Sequence, residues 1–129
     1  MYVLSNSPKD ALRGFVVRQG KLTLKSASGS SIPAITGTPV VSANGARDGV
    51  LWVLHSEASN IGDPNAVLIA FDALNPSKVL YASEQNPSRD RAGLAVRFNI
   101  PTIANGHVYV GAKHEVDVYG LLSQGPARR

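Results

Sequence analysis

The chain has 129 residues, with 13 lysines and arginines against 9 acidic residues and a formal net charge of +4. It contains no cysteine, which excludes disulfides, thiolate metal sites and cysteine nucleophiles. The basic residues are spread among turns and are not interleaved with aromatic residues along one stripe, which argues against a nucleic-acid partner. This length suits one domain with a core of its own, and we expect residues 1–129 to form a single domain.

The first residues, 1–8, have neither a basic region nor an apolar stretch long enough for a signal peptide. No later segment approaches a membrane-spanning run. We therefore expect a soluble chain that is not exported and has no membrane partner, while the sequence leaves its compartment open.

Strands dominate the predicted structure, taken from the N-terminus onward. The apolar residues come in short bursts of β-branched and aromatic type, cut by Gly, Asn, Pro, Ser and Asp, and no stretch keeps helical spacing for three turns. The ten predicted strands are Tyr2 to Leu4, Leu12 to Arg18, Leu22 to Ser26, Thr38 to Ala43, Val50 to His55, Ala66 to Asp72, Val79 to Ser83, Phe98 to Ala104, His107 to Gly111 and Glu115 to Leu121.

Two Asn-Gly dipeptides, at Asn44 and Asn105, predict tight hairpin turns, because both residue types tolerate positive φ angles. They also mark an internal repeat whose copies begin 61 residues apart, from Asn44 to Asn105. A fainter copy opens the chain, so that Tyr2, Trp52 and Tyr109 would occupy one structural position.

A repeat of this length with several short strands predicts β-propeller blades, which are four-stranded antiparallel sheets. The approximate blades are 1–32, 33–86 and 95–122, holding three, four and three strands, and residues 123–129 are predicted to be a flexible tail. The expected fold is therefore all-β: an incomplete β-propeller of about two and a half to three antiparallel blades, completed by oligomerisation.

Several stretches resemble the C-terminal blades of bacterial PQQ-like β-propellers, the quinoprotein alcohol dehydrogenase-like superfamily. They are Gly49 to Val53, Ala66 to Ala73, Ser88 to Asp90, Phe98 to Gly111 and Val118 to Leu122. The resemblance implies a propeller fold and relatives that are often exported. Quinone-dependent members carry a Trp-docking repeat in each blade, whereas this chain has one Trp, so we expect neither PQQ binding nor dehydrogenase activity.

Three histidines, His55, His107 and His114, are the candidate catalytic residues, because neutral imidazole can act as a base near pH 7 or bind a metal. Glu115 and Asp117 alternate along one strand and would share a face with each other. Together the five residues are the candidate ligands of a divalent ion such as zinc. The alternative interpretation is that they are surface residues at strand ends, with no cofactor.

The aromatic strand residues are expected to form the core between blades. They include Trp52, Phe71, Phe98, Tyr109 and Tyr119.

Two functional hypotheses follow. In the first, the chain is a self-associating propeller fragment, a head-to-tail homodimer or homotrimer that serves as a binding or scaffold module. In the second, a small hydrolase for esters or phosphoesters uses a metal- or histidine-based site in the oligomer's central channel or subunit seam. A small-molecule ligand is compatible with either hypothesis.

Overall fold

The structure is a computed structural model that describes residues 1–4, 11–29, 37–56 and 64–122. The predicted tail, residues 123–129, lies outside the described residues. The prediction of an all-β chain is confirmed, since the described residues hold ten strands and only two short helical segments. The strands are β1 (Tyr2–Val3), β2 (Arg13–Arg18), β3 (Lys21–Ala27), β4 (Val40–Asn44), β5 (Arg47–His55), β6 (Val67–Asp72), β7 (Val79–Ala82), β8 (Thr102–Ala104), β9 (His107–Ala112) and β10 (Glu115–Tyr119).

The ten strands form three antiparallel sheets of three, four and three strands. We call them the first sheet (β1-β2-β3), the central sheet (β4-β5-β6-β7) and the third sheet (β8-β9-β10). Each strand pairs with its neighbour along the chain, as expected where short turns join antiparallel strands. The strand counts agree with those predicted from the repeat.

The central sheet is covered on both faces. Side chains of a strand alternate between the two faces, and in β5 Leu51 and Val53 pack with Leu12, which directly precedes β2 of the first sheet. The intervening Leu54 packs instead with Val108 and other residues of the third sheet. The three sheets therefore stack, and each gap between them holds one hydrophobic cluster.

Hairpin turns of the predicted kind join the strands. Asn105 and Gly106 have φ angles of 49° and 75°, which fit a two-residue turn with both φ angles positive. Gln19 and Gly20 repeat this geometry between β2 and β3, with φ angles of 47° and 73°. In the central sheet Asn44 is the last residue of β4 and pairs with Arg47. The turn between β4 and β5 therefore begins at the glycine of the Asn-Gly dipeptide, whereas the turn between β8 and β9 begins at the asparagine.

The first and central sheets share details that the sequence did not reveal. The amide of Leu12 donates to the hydroxyl of Ser28 at 3.1 Å. The amide of Leu68 donates to the hydroxyl of Ser83, also at 3.1 Å. In both sheets a β-bulge interrupts the pairing with the last strand. The register between β2 and β3 shifts after Gly14, and the register between β6 and β7 shifts after Ala70. The two sheets are therefore structural copies of one unit.

The pairing registers agree with the predicted equivalence of three aromatic residues. Trp52 lies opposite Val40 in β4, and Tyr109 lies opposite Thr102 in β8. On their other sides the three aromatic residues face small or apolar residues of the next strand. These pairs are Tyr2 with Gly14, Trp52 with Ala70 and Tyr109 with Val118.

Several predicted strand boundaries were wrong: β5 begins at Arg47 and not at Val50, and β10 ends at Tyr119 and not at Leu121. The segment predicted as a strand from Phe98 is extended only from Thr102, because Phe98 has a φ of 59°, which a strand cannot accommodate. The side chain of Asn99 also donates to the carbonyl of Gly111 and holds the segment away from the ladder. Ser83 was predicted to end β7 but begins a 3-10 helix, Ser83–Gln85, followed by α1 (Pro87–Asp90).

Within the described ranges, no helix combines the length and the apolar character needed to cross a membrane.

Candidate functional site

The three candidate histidines lie at separate places on the sheets. His55 is the last residue of β5, and its Nε2 atom is buried. His107 begins β9, with its Nδ1 atom 2.9 Å from the carbonyl oxygen of Asn105. His114 lies in the turn that follows β9 and has a φ of 69°. At the usual strand rise, the length of β9 separates His107 from His114 by about 20 Å.

The two candidate carboxylates, Glu115 and Asp117, share the face of β10 that points toward the central sheet. Both lie beside Gly93, whose amide donates to Asp117 Oδ2 at 2.9 Å. Across the described parts of the chain, no three His, Asp or Glu side chains come together in a way that could hold a metal ion. One chain thus brings two of the five predicted residues together, and a site shared between copies stays a prediction.

A cleft of about 650 Å³ lies between the central and third sheets. Trp52 and Tyr81 line it from the central sheet, and Val108, Asp117 and Tyr119 line it from the third. Both walls therefore belong to one chain.

Strand register places the aromatic residues in this cleft. Trp52 and Tyr81 both pair with Ala70, so they lie on one face of the central sheet with a small side chain between them. The Trp52 indole N–H donates to the hydroxyl of Ser42 at 2.9 Å, which fixes the ring. The rings of Tyr81 and Tyr119 meet edge to face, with centroids 6.3 Å apart and planes at 65°. Three half-buried aromatic rings from two sheets therefore line the same cleft.

Helix α1 and the residue after it supply the charged rim of the cleft. Arg89 donates to the carboxylate of Asp90 through Nε at 2.5 Å and Nη2 at 2.6 Å. Arg91 lies 3.7 Å from the carboxylate of Glu84. The Tyr119 hydroxyl donates to the backbone carbonyl of Asp90 at 3.0 Å and ties β10 to this rim. Each arginine therefore faces a carboxylate of its own.

Burial and nearby carboxylates raise the pKa of both tyrosines above the ordinary value. Burial, followed by the charge of Asp90, raises the pKa of Tyr81 to about 12. Burial, followed by the charge of Asp117, raises the pKa of Tyr119 well above its ordinary value. The hydrogen bond from Arg89 lowers the pKa of Asp90, so that carboxylate is charged near pH 7. The cleft offers neutral phenols beside the ionised carboxylate of Asp90.

The expectation for the aromatic residues is confirmed in part. Trp52 and Tyr119 pack against the cluster between the central and third sheets, and Phe71 is buried in the other cluster. Phe98 was predicted to be core but is 72% exposed, because its left-handed backbone directs it away from the sheets. Sequence reasoning did not single out Tyr81, and alternation along β7 could not have placed it, because the bulge sets Tyr81 opposite Ala70 and Val79 opposite Phe71, on different faces of the sheet.

Comparisons with models of protein families, with curated proteins and with solved structures find no match to this chain.

Proposed function

We propose that the chain is a propeller-type module that associates head to tail with a second copy, the first sheet of one stacking on the third sheet of the other. The assembly acts as a binding or scaffold protein. One observation carries the proposal: by strand register, the exposed face of the third sheet is equivalent to a face that the central sheet buries.

The equivalence follows from strand register. The Tyr109–Val118 pair corresponds to Trp52–Ala70, and the Gly111–Val116 pair corresponds to Leu54–Leu68. Leu54 and Leu68 are fully buried against the third sheet, whereas Val116 and Val118 are 64% and 55% exposed. An apolar face that is buried in one repeat and exposed in the next favours a further sheet on top of it.

The first sheet offers a matching apolar face at the other end of the stack. Phe15 pairs with Leu24 and Val17 pairs with Leu22, so these four residues share one face. Val17, Leu22 and Leu24 are each more than half exposed. Both ends of the stack therefore present apolar residues at positions where a neighbouring sheet would cover them.

Charge favours contact between unlike ends. Residues 11–29, which include β2 and β3, contain four basic residues and no acidic residue. Residues 102–122, which include the third sheet, contain Lys113 against Glu115 and Asp117. Like ends would bring two basic first sheets together, whereas unlike ends oppose the basic first sheet to a third sheet whose two carboxylates point toward the central sheet, so the repulsion between basic sheets is avoided.

A closed dimer uses both ends of each chain. The first sheet of one copy covers the third sheet of its partner, and the reverse contact closes the ring. Two copies of three sheets give six, within the range of about four to eight blades of known propellers. Closure also doubles the apolar surface buried, relative to an open pair.

Light scattering on the purified chain tests the proposal. We expect a mass of twice 13.6 kDa that persists on dilution. Leu22→Lys and Val118→Lys, one on each face, should each shift the mass toward one chain, because a charge is costly at a buried apolar contact. The control Leu74→Lys changes a leucine that is 89% exposed and lies on neither face, and it should leave the mass unchanged. A monomer at every concentration would overturn the proposal.

The hydrolase hypothesis stays a prediction. It requires histidines from several copies at a shared axis, and no described contact favours it over the surface interpretation of those residues.

A further inference from the structure

We infer that the cleft between the central and third sheets binds a small organic cation of the alkylammonium or quaternary ammonium class, held by Trp52, Tyr81 and Tyr119 with Asp117 as the counter-charge. The inference does not depend on self-association, because one chain supplies both walls of the cleft.

The aromatic walls are the first argument. Trp52 and Tyr81 line the cleft from the central sheet, and Tyr119 lines it from the third. Tyr81 and Tyr119 meet edge to face at 65°, so their faces are directed along different axes around the cleft. Several aromatic walls at differing angles are the arrangement by which proteins recognise quaternary ammonium groups through cation–π attraction.

Charge is the second argument. Arg89 is held by two hydrogen bonds to Asp90, and Arg91 faces Glu84, so both cations at the rim have acidic partners within the protein. Asp117 adds a further carboxylate on the cleft wall, anchored by the amide of Gly93. Two carboxylates and two arginines line the cleft, and Glu84, which lies beside Arg91 outside the lining, adds a third carboxylate, so the surroundings of the rings favour a cation over an anion.

Size and lining are the third argument. A volume of about 650 Å³ lies within the range of small-molecule sites, roughly 300 to 1,000 Å³. It exceeds what an ammonium head group fills, so the ligand carries an apolar body as well. Val108, Leu121 and Leu122 also line the cleft and would contact that body.

The experiment compares three probes of similar size: choline, its neutral isostere 3,3-dimethylbutan-1-ol and the anion 3,3-dimethylbutanoate. Trp52 is the chain's one tryptophan and lines the cleft, so its fluorescence reports occupancy. Amide shifts of Gly106 and Gly120, which also line the cleft, locate the binding by NMR. We expect saturable changes with choline, weaker ones with the alcohol and none with the anion.

Variants separate the ring contribution from the fold. Tyr119→Leu and Tyr81→Leu should each weaken choline binding on the order of tenfold, through the loss of one cation–π contact. Tyr119→Phe keeps the ring and should keep most of the affinity. The matched control Phe98→Leu removes an exposed aromatic ring outside the cleft and should change nothing.

The charge contribution has its own variant. Asp117→Asn keeps an acceptor for the Gly93 amide and removes the charge, so it should reduce the preference for choline over the neutral alcohol. Equal binding of all three probes, or choline shifts confined to residues outside the cleft, would overturn the inference. The mass of each sample, measured by light scattering, keeps this result separate from the assembly proposal.

Discussion

The central sheet and the two terminal sheets are built from the same repeat, yet their faces are buried to different extents. In the central sheet both faces are covered, and Leu51, Leu54 and Leu68 have no exposed surface. In each terminal sheet one face is covered and the other is open, with Leu22 and Val116 more than half exposed. The strand pattern decides which residues share a face, and the neighbouring sheet decides whether that face is buried.

The same kind of substitution is therefore expected to have different effects in the central sheet and on an open face. A leucine in the central sheet contributes to the fold of a single chain. An equivalent apolar residue on an open face contributes to contact between chains, because water already reaches it in one chain. Stability and association are therefore expected to respond separately.

The largest expected effect is in the central sheet. Leu54→Ala removes a fully buried side chain from the cluster between the central and third sheets and should lower the free energy of unfolding by about 2 to 5 kcal/mol. Val118→Ala, on the open face, should change the free energy of unfolding of one chain by less than about 0.5 kcal/mol. Urea denaturation at low protein concentration measures both values.

The variants Leu54→Ala and Val118→Ala should also differ in how their stability depends on protein concentration. Since assembly stabilises the folded state by mass action, the effect of Val118→Ala should grow with protein concentration, while that of Leu54→Ala keeps its large intrinsic part. Equal losses for both variants in dilute solution would contradict the distinction between covered and open faces.

A second pair of variants tests the equivalent serine hydrogen bonds. Ser83 is fully buried, so Ser83→Ala leaves the amide of Leu68 without its acceptor and should cost about 1 to 3 kcal/mol. Ser28→Ala breaks the corresponding bond in the first sheet, where the site is half-buried and water can replace the hydroxyl, so we expect a smaller loss. Thermal melts of both variants measure the difference, and Ser77→Ala, at an exposed site, is the control.

The hairpin turns give a smaller effect. Gly106 has a φ of 75° and open space around the position of a Cβ, so Gly106→Ala should cost about 1 kcal/mol from backbone conformation alone. Gly20→Ala in the first sheet, with a φ of 73°, should cost the same. Gly29→Ala is the control, because its φ is not left-handed and a Cβ would make only an ordinary contact. Unequal losses at Gly106 and Gly20 would mean that their surroundings differ after all.

Much of this fold could be predicted from the sequence, because it depends on local patterns. Alternating apolar residues located all ten strands, and Asn105-Gly106 defined a turn that only positive φ angles can close. The serine bonds could not be predicted, since Leu12 and Ser28 come together only through pairing across β2 and β3. The left-handed Phe98 was missed because an aromatic residue rarely adopts a positive φ, and the neighbouring hydrogen bond from Asn99 to Gly111 joins residues that are distant in the sequence.

The cleft was less predictable than the strands. Trp52 and Tyr119 were expected between sheets, and both lie there. Whether two sheets close over such residues or leave a cleft depends on the angle between them and on what covers their edge. Here α1 and Arg91, the residue after it, form the rim, in a segment where the sequence predicted no strand.

The smallest expected effect concerns that rim and its dependence on pH. The hydrogen bond from Arg89 lowers the pKa of Asp90 in the folded chain below its ordinary value of 3.8. The resulting stabilisation is fully present above the unfolded pKa and is lost as the pH falls through the lower, folded pKa. Unfolding free energies measured from about pH 5 to about pH 2 should therefore decline less steeply in Asp90→Asn than in the unaltered chain.

Arg89→Gln should also make the free energy of unfolding less dependent on pH over this range, because it removes the hydrogen-bond donor and leaves the carboxylate of Asp90. An unchanged slope in both variants would mean that the pair is too exposed to contribute, and that the rim depends on the Tyr119 hydroxyl and the carbonyl of Asp90 instead.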